Sequence, residues 1–201
     1  MQVLEKPVLI NFSPLKRYTL EEFWALPERE DRVRYELIGG HLFMVPPPNP
    51  PHGDLAANML KALTKFLFTN NLEGHVYFPR EPIYIRAEHS TYLEPDMMYV
   101  SDELREKMGS KRTSADIVFE FLSRRTTLYD RTTKADTYLA LGVRELWLVD
   151  PATETIDVHQ PKEVSDTLVW EIYSYEKGEH AKSRVLAGWE VSVNEIFRDL
   201  V

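Results

Sequence analysis

The stretch DIVFEFLS, from Asp116 to Ser123, sets the tightest limit on the architecture of this chain. Apolar side chains fill both sets of alternating positions, so an extended strand here would be apolar on both faces. Such strands lie in the middle of a sheet that is covered on both sides. The stretch ELWLVD, from Glu145 to Asp150, has the same pattern. The sequence therefore predicts two central strands of one covered sheet.

Local patterns near the N-terminus predict a short helix followed by a hairpin. Thr19 lies three residues before Glu22, which is the spacing of a capping box at the start of a helix. Two apolar runs flank Gly39-Gly40 between Arg34 and Val45, as in a β-hairpin. The prolines from Val45 to Gly53 cannot extend a helix or a central strand, so this stretch is predicted to be a stiff connection within a domain.

The rest of the chain alternates between helical and extended patterns. Apolar residues near the 3.6-residue period predict helices over His52 to Asn70 and over Leu128 to Leu141, the second ended by Gly142. Strands are predicted over His75 to Arg86, over Pro95 to Ser101, and in the C-terminal stretches TIDVHQ, LVWEIYSYEKG and RVLAGWEVSV, before a short helix near Asn194 to Leu200. This order predicts an α/β (α+β) fold with a mixed central β-sheet flanked by helices.

Length and composition favour one domain over residues 1–201. A chain of 201 residues with 43% hydrophobic residues can bury one substantial core. We expect the core at about 34–159, an N-terminal extension at 1–33 and C-terminal antiparallel strands at 160–201. The sequence has no cysteine, so a metal would have to be held by oxygen and imidazole ligands, which favours hard cations.

The charge distribution bears on partners and on location. A net charge of −8 argues against a protein that coats nucleic acid by bulk electrostatics, although the stretch from Arg105 to Lys134 has eight basic and four acidic residues. No apolar run approaches the ~18 to 20 residues that cross a bilayer, and the N-terminus lacks the order of a signal peptide. We therefore expect a cytoplasmic protein that does not enter a membrane.

Glu120 is a carboxylate inside the apolar stretch DIVFEFLS. A lone buried carboxylate is costly, so it either takes up a proton or has a cation partner. If the strands of Asp96 and Glu120 are neighbours, the two carboxylates could converge on one divalent cation. Lys134, on the following helix, is the second candidate partner.

Each of these three residues also has an ordinary structural explanation. Glu120 could bond Arg124 or Arg125 at the end of its strand. Asp96 could be a turn residue after Pro95. Lys134 lies four residues after Asp130 and could form an exposed helical ion pair worth about 0.3 to 0.5 kcal/mol.

Several motifs occur together in an order that carries a family resemblance. They are Pro95-Asp96, Glu120 in VFEFLS, the stretch DRTTKADTYLALGVRELWLVDP from Asp130 to Pro151, and the earlier RYELIGGHLFMVPPPNPPH. Over roughly Tyr18 to His159 the sequence resembles the putative restriction-endonuclease domain family of bacterial proteins, a branch of the PD-(D/E)XK nuclease superfamily. The resemblance implies a restriction endonuclease-like core.

The resemblance also implies roles for individual residues. Asp96 and Glu120 would bind Mg²⁺ or Mn²⁺, and a lysine would assist the attacking water. The superfamily usually places that lysine two residues after the glutamate, where this chain has Leu122, so the resemblance points to Lys134 on the next helix. Glu36 is the candidate for a further carboxylate of the site. His41 occupies a position where the family usually has an acidic residue.

Four other residues keep two interpretations each. His52 could reach the site from the start of its helix or could face solvent. Asp150 could add charge at the end of the sheet or form a turn with Pro151. Arg124 and Arg125 could bind phosphates or lie in a solvated loop.

These observations lead to one main functional hypothesis and two alternatives. The main one is a Mg²⁺-dependent endonuclease that hydrolyses phosphodiester bonds of nucleic acid, with DNA the expected substrate. One alternative is a nuclease-like domain that binds nucleic acid or protein without catalysis, and the other is a hydrolase of a different phosphodiester. A homodimer would suit a two-fold symmetric duplex, and Trp170, Tyr173, Tyr175 and Trp189 could form its contact or cover their own sheet.

Overall fold

Twelve strands and six short or medium helices follow one another in a computed structural model that describes residues 16–27, 33–87, 90–123 and 126–200. The helices are α1 (Leu20–Trp24), α2 (His52–Thr69), α3 (Asp102–Met108), α4 (Thr127–Tyr129), α5 (Ala135–Ala140) and α6 (Val193–Ile196), with a π-helical turn at Asp130–Lys134 between α4 and α5. The strands are β1 (Arg34–Ile38), β2 (His41–Val45), β3 (His75–Tyr77), β4 (Ile83–Ile85), β5 (Thr91–Leu93), β6 (Met97–Val100), β7 (Ile117–Phe121), β8 (Glu145–Asp150), β9 (Thr155–Val164), β10 (Thr167–Tyr175), β11 (His180–Lys182) and β12 (Glu190–Ser192).

The central sheet has six strands in the order β10-β9-β8-β7-β6-β3. Strands β7 and β8 are parallel neighbours in its middle, and the other neighbouring pairs are antiparallel. Every residue of β7 and β8 is buried. The predicted mixed α+β fold with two central strands is therefore confirmed, and the chain segment from α4 to α5 connects the parallel pair.

Helices cover the two faces of β7 separately, which explains its uniformly apolar sequence. Ile117, Phe119 and Phe121 pack on the side of α2, with the aromatic rings of Trp147 and Trp189 among their neighbours. The intervening Val118 and Leu122 pack on the side of α5. Since Glu120 alternates with Phe119 and Phe121, its side chain belongs to the α5 side, where Lys134 directly precedes the helix.

A second sheet of four strands, in the order β2-β1-β5-β4, contains the predicted hairpin. Strands β1 and β2 pair in antiparallel register around Gly39-Gly40, and both glycines have positive φ angles of 55° and 82°. Glycine adopts this left-handed backbone without the steric cost of a side chain. The capping box of α1 is also confirmed, because Thr19 and Glu22 exchange both of its hydrogen bonds.

The prediction of one strand over His75 to Arg86 is wrong. Strand β3 belongs to the central sheet, whereas β4 belongs to the smaller sheet. Pro79 and Pro82 interrupt the stretch and cannot donate to a strand ladder, and Arg80 between them has a positive φ of 77°. The sequence patterns also missed β5 and α3, and α3 has no buried residue that could produce an apolar period.

Of the C-terminal antiparallel strands, β9 and β10 extend the central sheet, whereas β11 and β12 form a separate two-stranded sheet. Strand β9 runs continuously from Thr155 to Val164 and pairs with β8 on one side and β10 on the other. Among the described residues, no helix combines the length and the apolar character needed to cross a membrane.

The burial of His159 on β9 predicts that the stability of the fold depends on pH. Its ring is 4% exposed, neither ring nitrogen has a hydrogen-bond partner among the described residues, and burial lowers the pKa of the imidazole to about 4. A histidine whose pKa is lower in the folded protein than in the unfolded chain stabilises the fold above about pH 6.5 and loses that contribution as the pH falls towards 4. The expected loss is about 3 kcal/mol.

We therefore expect His159→Phe to flatten the pH dependence of the free energy of unfolding between pH 7 and pH 4. Urea unfolding followed by circular dichroism at several pH values measures this difference between the variant and the wild type. Parallel pH profiles of the two proteins would contradict it.

Candidate active site

Four polar side chains from separate elements meet in one cleft. Glu36 comes from β1, Asp96 from the residue before β6, Glu120 from β7 and Lys134 from the end of the π-helical turn. All four line the cleft, together with the proline segment Pro46, Pro47 and Pro48. The structure thus brings together the four residues to which the family resemblance gave roles.

Lys134 is the centre of this group. Its Nζ lies 2.8 Å from Oε1 of Glu120 and 3.1 Å from Oε1 of Glu36, and the residue is 3% exposed. The exposed helical pair with Asp130 is therefore the wrong explanation, since Asp130 is buried too. Leu122, at the position where the superfamily usually has its lysine, packs in the apolar cluster beneath α5.

The register of the central sheet places Asp96 beside Glu120. Strands β6 and β7 are antiparallel, with Met97 opposite Phe119, so the next residue pair in this register is Asp96 and Glu120. Oδ2 of Asp96 accepts a 3.0 Å hydrogen bond from the Phe121 backbone N–H. The condition that their strands are neighbours is met, and directly opposed residues of such a pair point to the same face of the sheet.

Glu36 is fixed by donors from three elements. Its Oε1 accepts hydrogen bonds from the Glu94 backbone N–H at 2.9 Å and from Lys134, and its Oε2 accepts one from the Tyr129 hydroxyl at 2.9 Å. This network ties the smaller sheet to the helix that carries Lys134. Glu36 therefore contacts the same ammonium as Glu120 does.

His52, at the start of α2, faces the cleft rather than solvent. Its Nε2 lies 2.9 Å from Oδ2 of Asp96, and its ring contacts Phe121 edge-on with the ring centroids 5.5 Å apart. Pro51 directly precedes α2, and Pro46, Pro47 and Pro48 line the same cleft as His52. The imidazole thus orients the carboxylate of Asp96.

Sequence reasoning did not assign Asp130, Tyr129 or Tyr138 to the site. Tyr138 donates a 2.6 Å hydrogen bond to Oε1 of Glu120, and Asp130 lines the cleft from the π-helical turn. Tyr138 lies one helical turn after Lys134 and therefore on the same helix face. This spacing was the sequence signal that could have assigned Tyr138 to the site. The π-helical turn, which changes the register of the helix, had no signal in the sequence, although such turns are frequent at functional sites.

The electrostatics of the site combine four carboxylates with one lysine. Burial raises the pKa of Glu120 well above its usual value, and the charges of Asp96, Asp130 and Glu36 add to this against the opposing effect of Lys134. Burial likewise raises the pKa of Asp130 to about 6. Both shifts disfavour the ionised carboxylates, and a cation bound in the cleft would oppose them by stabilising the ionised forms.

The pKa values of Lys134 and Asp96 are shifted in the directions that keep these two side chains charged. Burial by itself would lower the pKa of Lys134, but the carboxylates of Glu120 and Glu36 raise it well above its usual value. Burial by itself would raise the pKa of Asp96, but the hydrogen bond and charge of His52 hold it below the usual value. A charged lysine thus lies beside an ionised aspartate in a largely buried cleft.

The donor set fits a weakly held hard cation better than a closed metal cage. Within the described parts of the chain, no three His, Asp or Glu residues are grouped as metal ligands, and Lys134 contacts both Glu36 and Glu120. The contacts of Asp96 use Oδ2 and those of Glu120 use Oε1, which leaves one oxygen of each for a cation. Mg²⁺ suits such a site, since it is often held by one or two carboxylates and keeps several waters.

The remaining candidates lie elsewhere or outside the described residues. Asp150 bonds Arg131 and the Ala152 backbone N–H, which is the turn interpretation. His41 begins β2 opposite Ile38 and does not line the cleft. Arg124 and Arg125 lie outside the described residues. Of the C-terminal aromatic residues, Trp189 is buried in the core and the Trp170 indole donates to the Ala135 carbonyl, so both cover their own domain.

The mixed six-stranded sheet, with Asp96 and Glu120 at the junction of two neighbouring strands, belongs to a fold that another solved structure shares. A crystal structure described as a putative nuclease belonging to DUF820, from Anabaena variabilis ATCC 29413, has this fold: it matches 90% of this chain and 97% of its own at a TM-score of 0.68 and 20% identity. The family model named Uma2, described as "Putative restriction endonuclease", matches residues 20–194, and the chain belongs to that family. No curated protein matches the chain.

Proposed function

We propose that this protein is a Mg²⁺-dependent endonuclease that hydrolyses phosphodiester bonds of nucleic acid, with DNA the expected substrate. One observation carries the proposal. The ammonium of Lys134 lies 2.8 Å from Glu120, beside Asp96, in one narrow cleft. Lys134 would thus supply, from the π-helical turn, the positive charge that the superfamily usually places two residues after the glutamate, where this chain has Leu122.

Asp96 and Glu120 would hold the metal through the two carboxylate oxygens that their other contacts leave available. A divalent cation bound there supplies Lewis-acid polarisation of the scissile phosphate and lowers the pKa of a bound water. Mn²⁺ could replace Mg²⁺ because both accept carboxylate oxygens and water.

The residues of the chain supply orientation and a fixed positive charge. An ammonium has three N–H donors, and Glu120 and Glu36 accept two of them, so the third can donate to the attacking water or to a phosphate oxygen. Because the ammonium is preorganised in a buried site, it stabilises the negative charge that develops during in-line attack. Glu36 and His52 position Lys134 and Asp96, respectively.

The second candidate function is a nuclease-like domain that binds nucleic acid or a protein without cleaving anything. Two observations favour it: the net charge of −8, and the absence of a three-residue metal cluster among the described residues. A hydrolase of a different phosphodiester would use the same residues and differ only in its substrate.

Titration of the protein with Mn²⁺ in a calorimeter separates these functions. We expect saturable binding at millimolar metal or below, and a Tm that rises with metal concentration, because a ligand that binds only the folded state stabilises it. Incubation with plasmid DNA and with a single-stranded oligodeoxynucleotide should give cleavage of at least one of them in Mg²⁺ and none with a chelator. No metal binding, together with no cleavage of either DNA, would favour the binding module.

A further inference from the structure

A broad groove adjoins the catalytic cleft and is not used by the proposed chemistry. We call it the aromatic groove; Phe23, Tyr35, Pro47, Pro79, Arg80 and Tyr92 line it. It shares Arg34, Pro47, Pro48, His52 and Glu94 with the cleft, so the two form one continuous depression. A substrate strand whose phosphate reaches Asp96 would therefore place its adjoining nucleotides in this groove.

The lining of the groove suits the flat face of a nucleobase. Tyr92 is half-buried, and its ring lies 4.8 Å from that of Phe23, which holds it in place from one side. Glu94 accepts a 3.3 Å hydrogen bond from the Tyr92 hydroxyl and fixes the ring further. Aromatic side chains that are held in this way stack on unpaired bases of any sequence.

Arg80 adds a positive charge at the edge of the groove. It is exposed, and its φ of 77° lies in the region that favours glycine. A non-glycine residue in such a conformation is retained where the surrounding structure enforces it, and these positions are concentrated at functional sites. Its guanidinium can contact the phosphate that accompanies a stacked base.

The depth of the site and the charge of the protein both disfavour a regular duplex. Glu120 and Lys134 are each 3% exposed, so a scissile phosphate must enter a narrow cleft to reach them. Duplex binding over a wide surface depends on many lysine and arginine contacts to phosphates, whereas this chain has a net charge of −8. Stacking provides affinity without such a surface.

From these observations we infer that the substrate is unpaired nucleic acid and that Tyr92 in the aromatic groove stacks on a base next to the scissile phosphate. This inference rests on the proposed endonuclease function for the position of the phosphate. It specifies a single strand, or a nucleotide turned out of a duplex, as the substrate class.

Fluorescence of a short single-stranded oligodeoxynucleotide containing 2-aminopurine tests the inference, with Ca²⁺ replacing Mg²⁺. We expect the fluorescence to be quenched on binding, and the single strand to bind at least about 10-fold more tightly than the same sequence in a duplex, because unstacking a paired base is costly. Tyr92→Leu should weaken binding roughly 5-fold to 100-fold, and Tyr92→Phe should retain it.

Tyr173→Leu is the matched control. Tyr173 is also a half-buried strand tyrosine that donates to a glutamate two residues away, but it lies on β10, outside the groove. Arg80→Gly provides a variant that removes no packing and relieves the backbone conformation. It should weaken binding without loss of stability and should reduce the slope of log affinity against log salt by about 0.7.

The outcomes separate this inference from the proposed function. Equal affinity for single strand and duplex, no binding of either probe, or equal effects of Tyr92→Leu and Tyr173→Leu would overturn the inference. Cleavage in Mg²⁺ that is insensitive to Tyr92→Leu would support the endonuclease function and contradict the stacking role of Tyr92. Binding that depends on Tyr92, without cleavage of any probe in Mg²⁺, would support the stacking role of Tyr92 and contradict the endonuclease function.

Discussion

Replacement of Asp96 by asparagine is expected to lower the rate of Mg²⁺-dependent DNA cleavage by about 1000-fold or more. The change removes one of the two carboxylates proposed to hold the cation, and Lewis-acid stabilisation by such a cation contributes several kcal/mol to lowering the barrier. Asparagine keeps an oxygen that can accept the hydrogen bond of the Phe121 backbone N–H. We therefore expect the circular dichroism spectrum to be unchanged.

Asp102→Asn is the matched control for this experiment. Asp102 also accepts a contact from a histidine, with Nε2 of His75 at 3.0 Å from its Oδ1, but it lies on α3 and does not line the catalytic cleft. Its replacement should leave cleavage within about 2-fold of the wild type, since it removes the same charge away from the proposed site. Plasmid cleavage that is equally fast in Asp96→Asn and in the wild type would exclude the metal assignment.

Replacement of Lys134 by methionine is expected to lower the free energy of unfolding by about 3 to 5 kcal/mol, as well as to abolish cleavage. The change leaves Glu36 and Glu120 buried without their shared cation, and removal of one partner from a buried ion pair has a cost of this size. Urea unfolding at pH 7 measures it. A decrease below about 1 kcal/mol would mean that the carboxylates are neutral in the wild type.

The pH dependence of Lys134→Met provides a further check. Without the ammonium, burial and neighbouring carboxylates should hold the pKa of Glu120 above its unfolded value. A carboxyl group of this kind binds more protons when folded, so the fold loses stability as the pH rises. The variant should therefore be less impaired at pH 5 than at pH 8, and addition of Glu120→Gln should restore part of its stability at pH 8.

The sequence patterns predicted helices and strands correctly where buried apolar residues recur regularly along one element. Strands β7 and β8 could be read from uniformly apolar runs, and α2 from its 3.6-residue period, because these side chains contact neighbours on a fixed face. The pattern failed where an element buries little. Helix α3 has no buried residue, and β4 and β5 have only three residues each. None of these three elements produces a detectable period of apolar residues.

The candidate site likewise contains residues that the sequence could suggest and contacts that it could not. Glu120 could be proposed as a site residue because it interrupts an apolar strand, whereas Asp96 became a candidate through the order of motifs that resembles the family. The contacts of His52 with Asp96, and of Tyr129 with Glu36 over a separation of 93 residues, could not be recognised. They depend on how α2 and the π-helical turn pack on the two sheets.

The sequence by itself determined that a buried charge stands in the central sheet and that this charge requires a partner. Periodicity is a local property, so it specifies which side chains are buried on each element. Only the tertiary structure decided that the partner is Lys134, held between Glu120 and Glu36 at 2.8 Å and 3.1 Å. An ion pair needs distances fixed within fractions of an ångström between elements far apart in the chain, and packing of those elements, rather than any local pattern, sets such distances.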